Sequence, residues 1–184
     1  MKELSLNILD ITENSVKAKA SLVKILLYET EDKLEIVIED NGVGMTDEVV
    51  RSVENPFYTT RKTRSVGMGI PLFMFAAQQT DGRFEITSRH IDEYPEDHGT
   101  RVLAVFNKDH IDFTPLGDMI STIVTLIQGH PDTDFLFIHE KDGVEVSLDT
   151  REIREVLEGV PLDTFEVIVW IKENLAEQYV SIKK

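Results

Sequence analysis

The chain has 184 residues, 41% apolar and 29% charged, long enough to bury an ordinary hydrophobic core without covalent staples. It contains no cysteine, which excludes disulfide scaffolds, thiolate metal centres, iron–sulfur clusters and cysteine nucleophiles. Nineteen basic against 34 acidic residues give a formal charge of −15, which argues against a broad nucleic-acid or anionic-membrane surface, although a few local cations and backbone N–H groups can still hold a small anion.

The opening residues carry charges every few positions and no apolar run reaches membrane-spanning length, so a cytoplasmic protein is expected. From about Ser5 to Lys19, apolar Leu4, Ile8, Ile11 and Ala18 recur at helical spacing, with Asp10, Asn14 and Lys17 on the opposite face. Leu22 to Tyr28 and Leu34 to Glu39 read as a hairpin, with Leu34, Ile36 and Ile38 facing a helix layer. Asp40-Asn41-Gly42-Val43-Gly44-Met45 is a glycine-punctuated turn, and Thr46 is placed to cap a short helix through about Val53.

An irregular stretch from Glu54 to Val66 carries Phe57, Tyr58, Arg61, Lys62 and Arg64 and reads as a loop. Gly67-Met68-Gly69 opens a second long helix, with Pro71 tolerated in its first turn, ending near Thr80 before Asp81-Gly82. Strands follow from Arg83 to Ser88 and Arg101 to Phe106, joined by a polar connection that contains Gly99-Thr100.

The pattern restarts near Asn107 to Phe113, which divides the chain into residues 1–107 and an appended segment 108–184. Thr114-Pro115 predicts a helix to about Gln128, and Asp142-Gly143 marks a hairpin between Phe135–His139 and Val144–Leu148. Asp149 with Glu152, and Asp163 with Glu166, announce two closing helices. The appended segment carries 7 basic and 16 acidic residues and no phosphate-loop chemistry; Phe135, Phe137 and Trp170 read as core, with a partner surface as the alternative.

Taken singly, each glycine cluster is weak evidence. Together they form an order: a polar helix face, an acidic glycine turn, a cationic loop, a glycine pair opening a helix, then Gly-Thr before a strand. In that order the chain resembles the GHKL superfamily of ATP-binding domains, which includes gyrase B subunits, the ninety-kilodalton heat-shock chaperone, histidine kinases and mismatch-repair ATPases. DITENSVKAKA is similar to the family's asparagine box, EDNGVGM to its first glycine box, NPFYTTRKTRSVGMGIPLF to its lid and second glycine box, and HGTRVLAVF to its closing glycine-threonine element.

The resemblance covers residues 1 to about 107 and implies a two-layer α/β sandwich with a mixed sheet, followed here by a small α+β appendage. It implies ATP with Mg2+ as ligands, the metal held by Asn14, with Lys17 adding a point charge for the phosphates. It places Asp40 against the adenine amino group, with Gly42 and Gly44 admitting close approach of the backbone. Met45 and Ile70 are candidates for purine contact or for core. Gly67, Met68 and Gly69 bring a helix N-terminus to the phosphates, and Arg61 and Lys62 answer the γ-phosphate from the lid. Thr100 is a candidate for a hydrogen bond near the base or for a sheet role.

Hydrolysing members carry a glutamate as general base four residues before the asparagine; Asp10 stands there in this chain. Its shorter side chain sets the carboxylate about one methylene back, which predicts slow turnover or binding without turnover. Glu13 lies on another side of the helix. No phosphoacceptor helix precedes the asparagine box, so a self-sufficient phosphorelay kinase is disfavoured. His139-Glu140 falls in a predicted strand, and His90, His98, His110 and His130 read as solvent-exposed. Three functional readings follow: a slow ATPase or nucleotide-dependent switch acting on a protein partner, a serine/threonine kinase of the anti-sigma-factor type, or a non-hydrolysing nucleotide-binding regulatory module. A homodimer is compatible with each.

Overall fold

A computed structural model describes residues 2–54 and 68–182. The elements in chain order are α1 Leu4–Lys17, β1 Leu22–Glu29, β2 Lys33–Asp40, α2 Asp47–Glu54, α3 Gly69–Gln79, β3 Arg83–Arg89, β4 Gly99–Asn107, α4 Met119–Gly129, β5 Asp134–Lys141, β6 Val144–Asp149, α5 Thr150–Leu157 and α6 Phe165–Ile182. The six strands form one mixed sheet in the order β3-β4-β2-β1-β5-β6. Every neighbouring pair is antiparallel except β1 and β5, which run parallel from Leu22 opposite Asp134 to Glu29 opposite Lys141.

Alternation along the strands explains the layering. Val23, Ile25 and Leu27 of β1, Leu34, Ile36 and Ile38 of β2, Val102, Ala104 and Phe106 of β4, and Phe135 and Phe137 of β5 are all buried in a single core. Helix α1 packs against both α3 and α4, and α4 against α6, so these helices cover that face side by side. Each fully buried aliphatic or aromatic side chain contributes about 1.5–3 kcal/mol of transfer free energy. Phe73 of α3 anchors its helix on the sheet, with its ring 5.6 Å from that of Phe106 and edge-on to Phe84.

The segment after residue 107 continues the same sheet and the same core. Its connection is stitched to the first half: Lys108 N donates to the Asp32 carbonyl at 2.8 Å, and Leu4 N and Ser5 N donate to the carbonyls of Pro115 and Leu116. The latter pair satisfies two donors at the open N-terminus of α1. It also corrects the expected start of α4. Residues 114–118 are drawn out as an extended cap for α1, Gly117 has φ +85°, and the helix begins at Met119, with the Asp118 side chain accepting from Ser121 N.

Phe135 and Phe137 are fully buried, as expected for core. Trp170 is not. It is 52% exposed on α6, and Phe165 of the same helix is 75% exposed, because α6 turns Val167, Ile171 and Leu175 inward. Gln178 of α6 also accepts from Ser147 N and donates to Ser147 O, closing part of the outer edge of β6.

Candidate functional site

Helix α1 and the C-terminal end of β2 meet at a cavity of about 390 Å³. The helix ends where Lys19 takes φ +60° and its N–H turns back to the Val16 carbonyl. The chain can then drop directly into β1, which leaves the last turn of α1 facing the glycine turn after β2. Asn14 and Lys17 of α1, Asp40 of β2 and Thr100 of β4 line the cavity, and Ile38, Ile70, Met45 and Val102 supply apolar surface.

Asp40 and Thr100 are register partners on β2 and β4. The expected connection containing Gly99 and Thr100 is therefore corrected: both residues belong to β4. Gly99 has φ +137°, and a Cβ there would lie 2.0 Å from the Asp40 carbonyl, so the close approach of these strands needs glycine. Gly44 is similarly constrained, at φ +71° with a hypothetical Cβ 2.0 Å from the Arg89 carbonyl.

The Asp40 carboxylate is held on both oxygens. Ser15 Oγ donates to Oδ2 at 2.6 Å, and the Gly42 N–H donates to Oδ1 at 2.9 Å. Each carboxylate oxygen keeps acceptor capacity, so the group is oriented yet able to receive a donor from a ligand. The Thr100 hydroxyl lies 2.8 Å from Ser88 Oγ, which also accepts the Met45 N–H at 2.7 Å. The apolar walls suit a flat heterocycle, and the Asp40 acceptor suits an amino substituent on it.

Of the residues singled out by sequence, Asn14, Lys17, Asp40, Gly44, Met45, Ile70 and Thr100 line this cavity. Gly42 stands behind Asp40 and is packed against the backbone of Ala18. Gly69 brings the start of α3 against α1, where an added Cβ would meet Asp10 Cβ at 3.2 Å. Asp10 itself is exposed, one turn before Asn14, and is not among the residues that line the cavity. Met68 is 71% exposed and also stands outside the lining. Phe57, Tyr58, Arg61, Lys62, Arg64 and Gly67 lie outside the described residues.

Sequence reasoning missed Ser15 and His90. Ser15 had a signal: a small hydroxyl continuing the buried Ile8 and Ile11 stripe of α1. His90 had none; it lines the cavity from the β3–β4 connection, with Nδ1 accepting the Asp92 N–H at 3.3 Å. The reading of His90, His98, His110 and His130 as solvent-exposed is corrected: all four are half-buried and make polar contacts. His98 bonds to the Gly42 carbonyl, His130 bridges α4 to Glu13 of α1 at 2.8 Å, and His110 lies 3.7 Å from Asp81. His139 is almost fully buried between Tyr179 and Glu29. Among the described residues no three His, Asp or Glu side chains converge to hold a metal ion.

A family model described as histidine kinase-, DNA gyrase B-, and HSP90-like ATPase matches residues 2–110. The chain belongs to this ATPase family. Among curated proteins, it is 30% identical over 90 residues to sporulation kinase C of Bacillus subtilis, covering 48% of this chain and 20% of that protein. It is 33% identical over 81 residues to the tetrathionate sensor histidine kinase TtrS of Salmonella typhimurium, covering 44% of this chain and 13% of that protein. The match thus spans a fifth or less of the length of these relatives.

Among solved structures, the Aquifex aeolicus MutL ATPase domain complexed with ADP superposes with a TM-score of 0.54 at 17% identity, covering 86% of this chain and 70% of that one. The N-terminal domain of a DNA repair protein superposes with a TM-score of 0.52 at 14% identity, covering 81% and 53%. These likenesses show the shared fold. Within that fold, α1, the glycine turn after β2 and the start of β4 converge on one cavity. No helix of the described residues is long and apolar enough to cross a membrane.

Proposed function

We propose that this chain binds Mg-ATP in the cavity between α1 and the β2 turn, and that it acts as a slow ATPase or nucleotide-dependent switch on a protein partner. One observation carries the reading: Asp40, whose carboxylate is clasped by Ser15 and the Gly42 N–H, lines a largely apolar cavity together with Asn14 and Lys17. In this reading Asp40 accepts from the adenine amino group, and Ile38, Ile70 and Met45 exclude water from the ring. The amide oxygen of Asn14 is a hard ligand of the kind that would hold Mg2+. Bound in that way, the metal supplies charge neutralisation for the phosphates, and Lys17 adds a second positive charge.

Asp10 is the candidate general base by position, one helical turn before Asn14. Its exposure and short side chain favour slow turnover. The cations Arg61 and Lys62, with Gly67, are proposed to complete the phosphate side. The exposed Phe165 and Trp170 on α6 support a partner surface in the C-terminal segment. Residues 1–107 then supply the nucleotide chemistry, and residues 108–184 extend the sheet and present that surface.

Titration calorimetry with Mg-ADP and a non-hydrolysable ATP analogue tests the reading. Heat of binding with a raised melting temperature is expected, and the absence of both overturns it. A second reading, transfer of the γ-phosphate to a protein, is favoured by the likeness to two kinases. Labelled γ-phosphate appearing on a partner rather than in solution would select it.

A further inference from the structure

The glycine turn after β2 is stitched down from two sides. Toward α1, Val43 N donates to the Ala18 carbonyl at 2.9 Å. Toward the β3–β4 connection, Ile91 N donates to the Val43 carbonyl at 2.9 Å, and the His98 ring meets the Gly42 carbonyl through Nδ1 at 2.5 Å. A carbonyl oxygen only accepts, so Nδ1 of His98 carries the hydrogen. The N–H of the same glycine donates to Asp40 Oδ1. Gly42 is thus gripped at both ends, by His98 on its carbonyl and by Asp40 on its amide.

We infer that His98 is a positioning residue for base recognition: by holding the Gly42 carbonyl it fixes the turn whose N–H orients the Asp40 carboxylate. His98 is not among the residues lining the nucleotide cavity; it lines a neighbouring cleft with Lys24, Glu39 and Arg101, and Asp40 and Thr100 border both. The Ile91 and Val43 stitches use backbone groups that nearly any residue provides. Ser88 contributes a side chain, but that hydroxyl also contacts Gly99 and Thr100 of β4 and so serves the strand start. Asn41 also contributes a side chain, but it pins the neighbouring residue to Ser21 and Leu22 of the β1 start; besides the Asp40 carboxylate itself, His98 is the side-chain clasp on Gly42. In the ATP reading Asp40 meets the base while Asn14 and Lys17 serve the phosphates, so a clasp that acts through Asp40 bears on discrimination of the base.

The inference rests on the ATP reading above, and the test separates the two. ADP and GDP affinities are measured by calorimetry on the full chain and on His98→Asn, His98→Gln and His98→Phe. An asparagine amide nitrogen sits where Nδ1 sits in histidine, so His98→Asn keeps the donor. Glutamine is polar but carries its amide about one bond too far out, and phenylalanine keeps the ring without a donor. We expect His98→Phe and His98→Gln to lose about three- to tenfold in ADP affinity, the loss of one net hydrogen bond, with GDP affinity little changed. His98→Asn should keep the wild-type ADP to GDP ratio. Melting temperatures confirm that each variant is folded, and the glutamine variant stands in if phenylalanine prevents folding. An unchanged ratio in the phenylalanine and glutamine variants, or an equal fall in the asparagine variant, overturns the role of His98 alone. Wild-type protein that binds neither nucleotide overturns the ATP reading and this inference with it.

Discussion

Ser15 Oγ lies 2.6 Å from Asp40 Oδ2, a hydrogen bond between residues 25 apart that ties the asparagine helix to the end of the second strand. It makes the orientation of the carboxylate a property of two elements. Ser15→Ala removes a donor from a charged acceptor, an interaction worth about 1.5–3 kcal/mol. ADP affinity should fall about tenfold or more while the fold persists. Asp40→Asn should abolish ADP binding, and Asp10→Asn should spare binding and remove hydrolysis. Calorimetry and phosphate release measure the two quantities, and parallel losses in both would contradict these roles.

Gly44 holds φ +71° with no room for a side chain beside Arg89. Gly44→Ala must adopt a strained conformation and push the turn away from β3, at a cost of about 2 kcal/mol or more. Thermal unfolding should show the loss, together with weakened nucleotide binding, because Met45 follows directly in the cavity wall.

Thr12 is fully buried in α1, and its hydroxyl has no hydrogen-bond partner among the described residues. A buried, unpaired hydroxyl costs about 1–3 kcal/mol, whereas a methyl group of the same shape does not. Thr12→Val should therefore raise stability by about 1 kcal/mol in urea titrations with an unchanged slope. A lower midpoint would show that the hydroxyl is satisfied in solution.

At the far end of the strands, Glu29 is gripped from three sides. His139 Nε2 lies at 3.1 Å, Lys108 Nζ at 2.8 Å and Lys141 Nζ at 3.3 Å, while His139 Nδ1 faces the Tyr179 hydroxyl at 2.9 Å. The His139 hydrogen bond, then Lys108 and Lys141, outweigh the opposing effect of burial and hold the Glu29 carboxyl down at about 2. Burial, reinforced by the Glu29 charge, pushes the Tyr179 phenol up. A carboxyl depressed in the folded state adds stability that is complete above its ordinary value of 4.5 and is lost as pH falls toward about 2. Acid unfolding followed by circular dichroism should steepen across that window. Glu29→Gln should flatten it and cost about 2 kcal/mol at neutral pH by leaving two lysines without their shared partner. An unchanged acid profile in that variant would remove Glu29 from the account.

Periodicity and turn chemistry made most elements readable in advance, because they are local. The Ile8–Ile11 stripe, the alternation of Leu34, Ile36 and Ile38, and the Asp142-Gly143 turn, with φ +50° and +80°, each state their element within a few residues. The start of α4 was misread for the opposite reason. Thr114-Pro115 has the local chemistry of a helix start, yet the carbonyls of Pro115 and Leu116 are spent on the N-terminus of α1, a demand set by a segment more than a hundred residues away.

The sequence by itself determined the family and named residues that meet at one cavity, Asn14, Lys17, Asp40 and Gly44 among them. Short-range spacing and residue type are enough for that, since a carboxylate, an amide and a missing Cβ carry their chemistry wherever they stand. Only the tertiary structure decided what supports them. It joined β5 to β1 across the expected division of the chain, turned Trp170 outward, and brought Ser15, His90 and His98 to the glycine turn. Those contacts arise from strand register and helix packing, which depend on the burial of the whole core and leave no mark in any single stretch of residues.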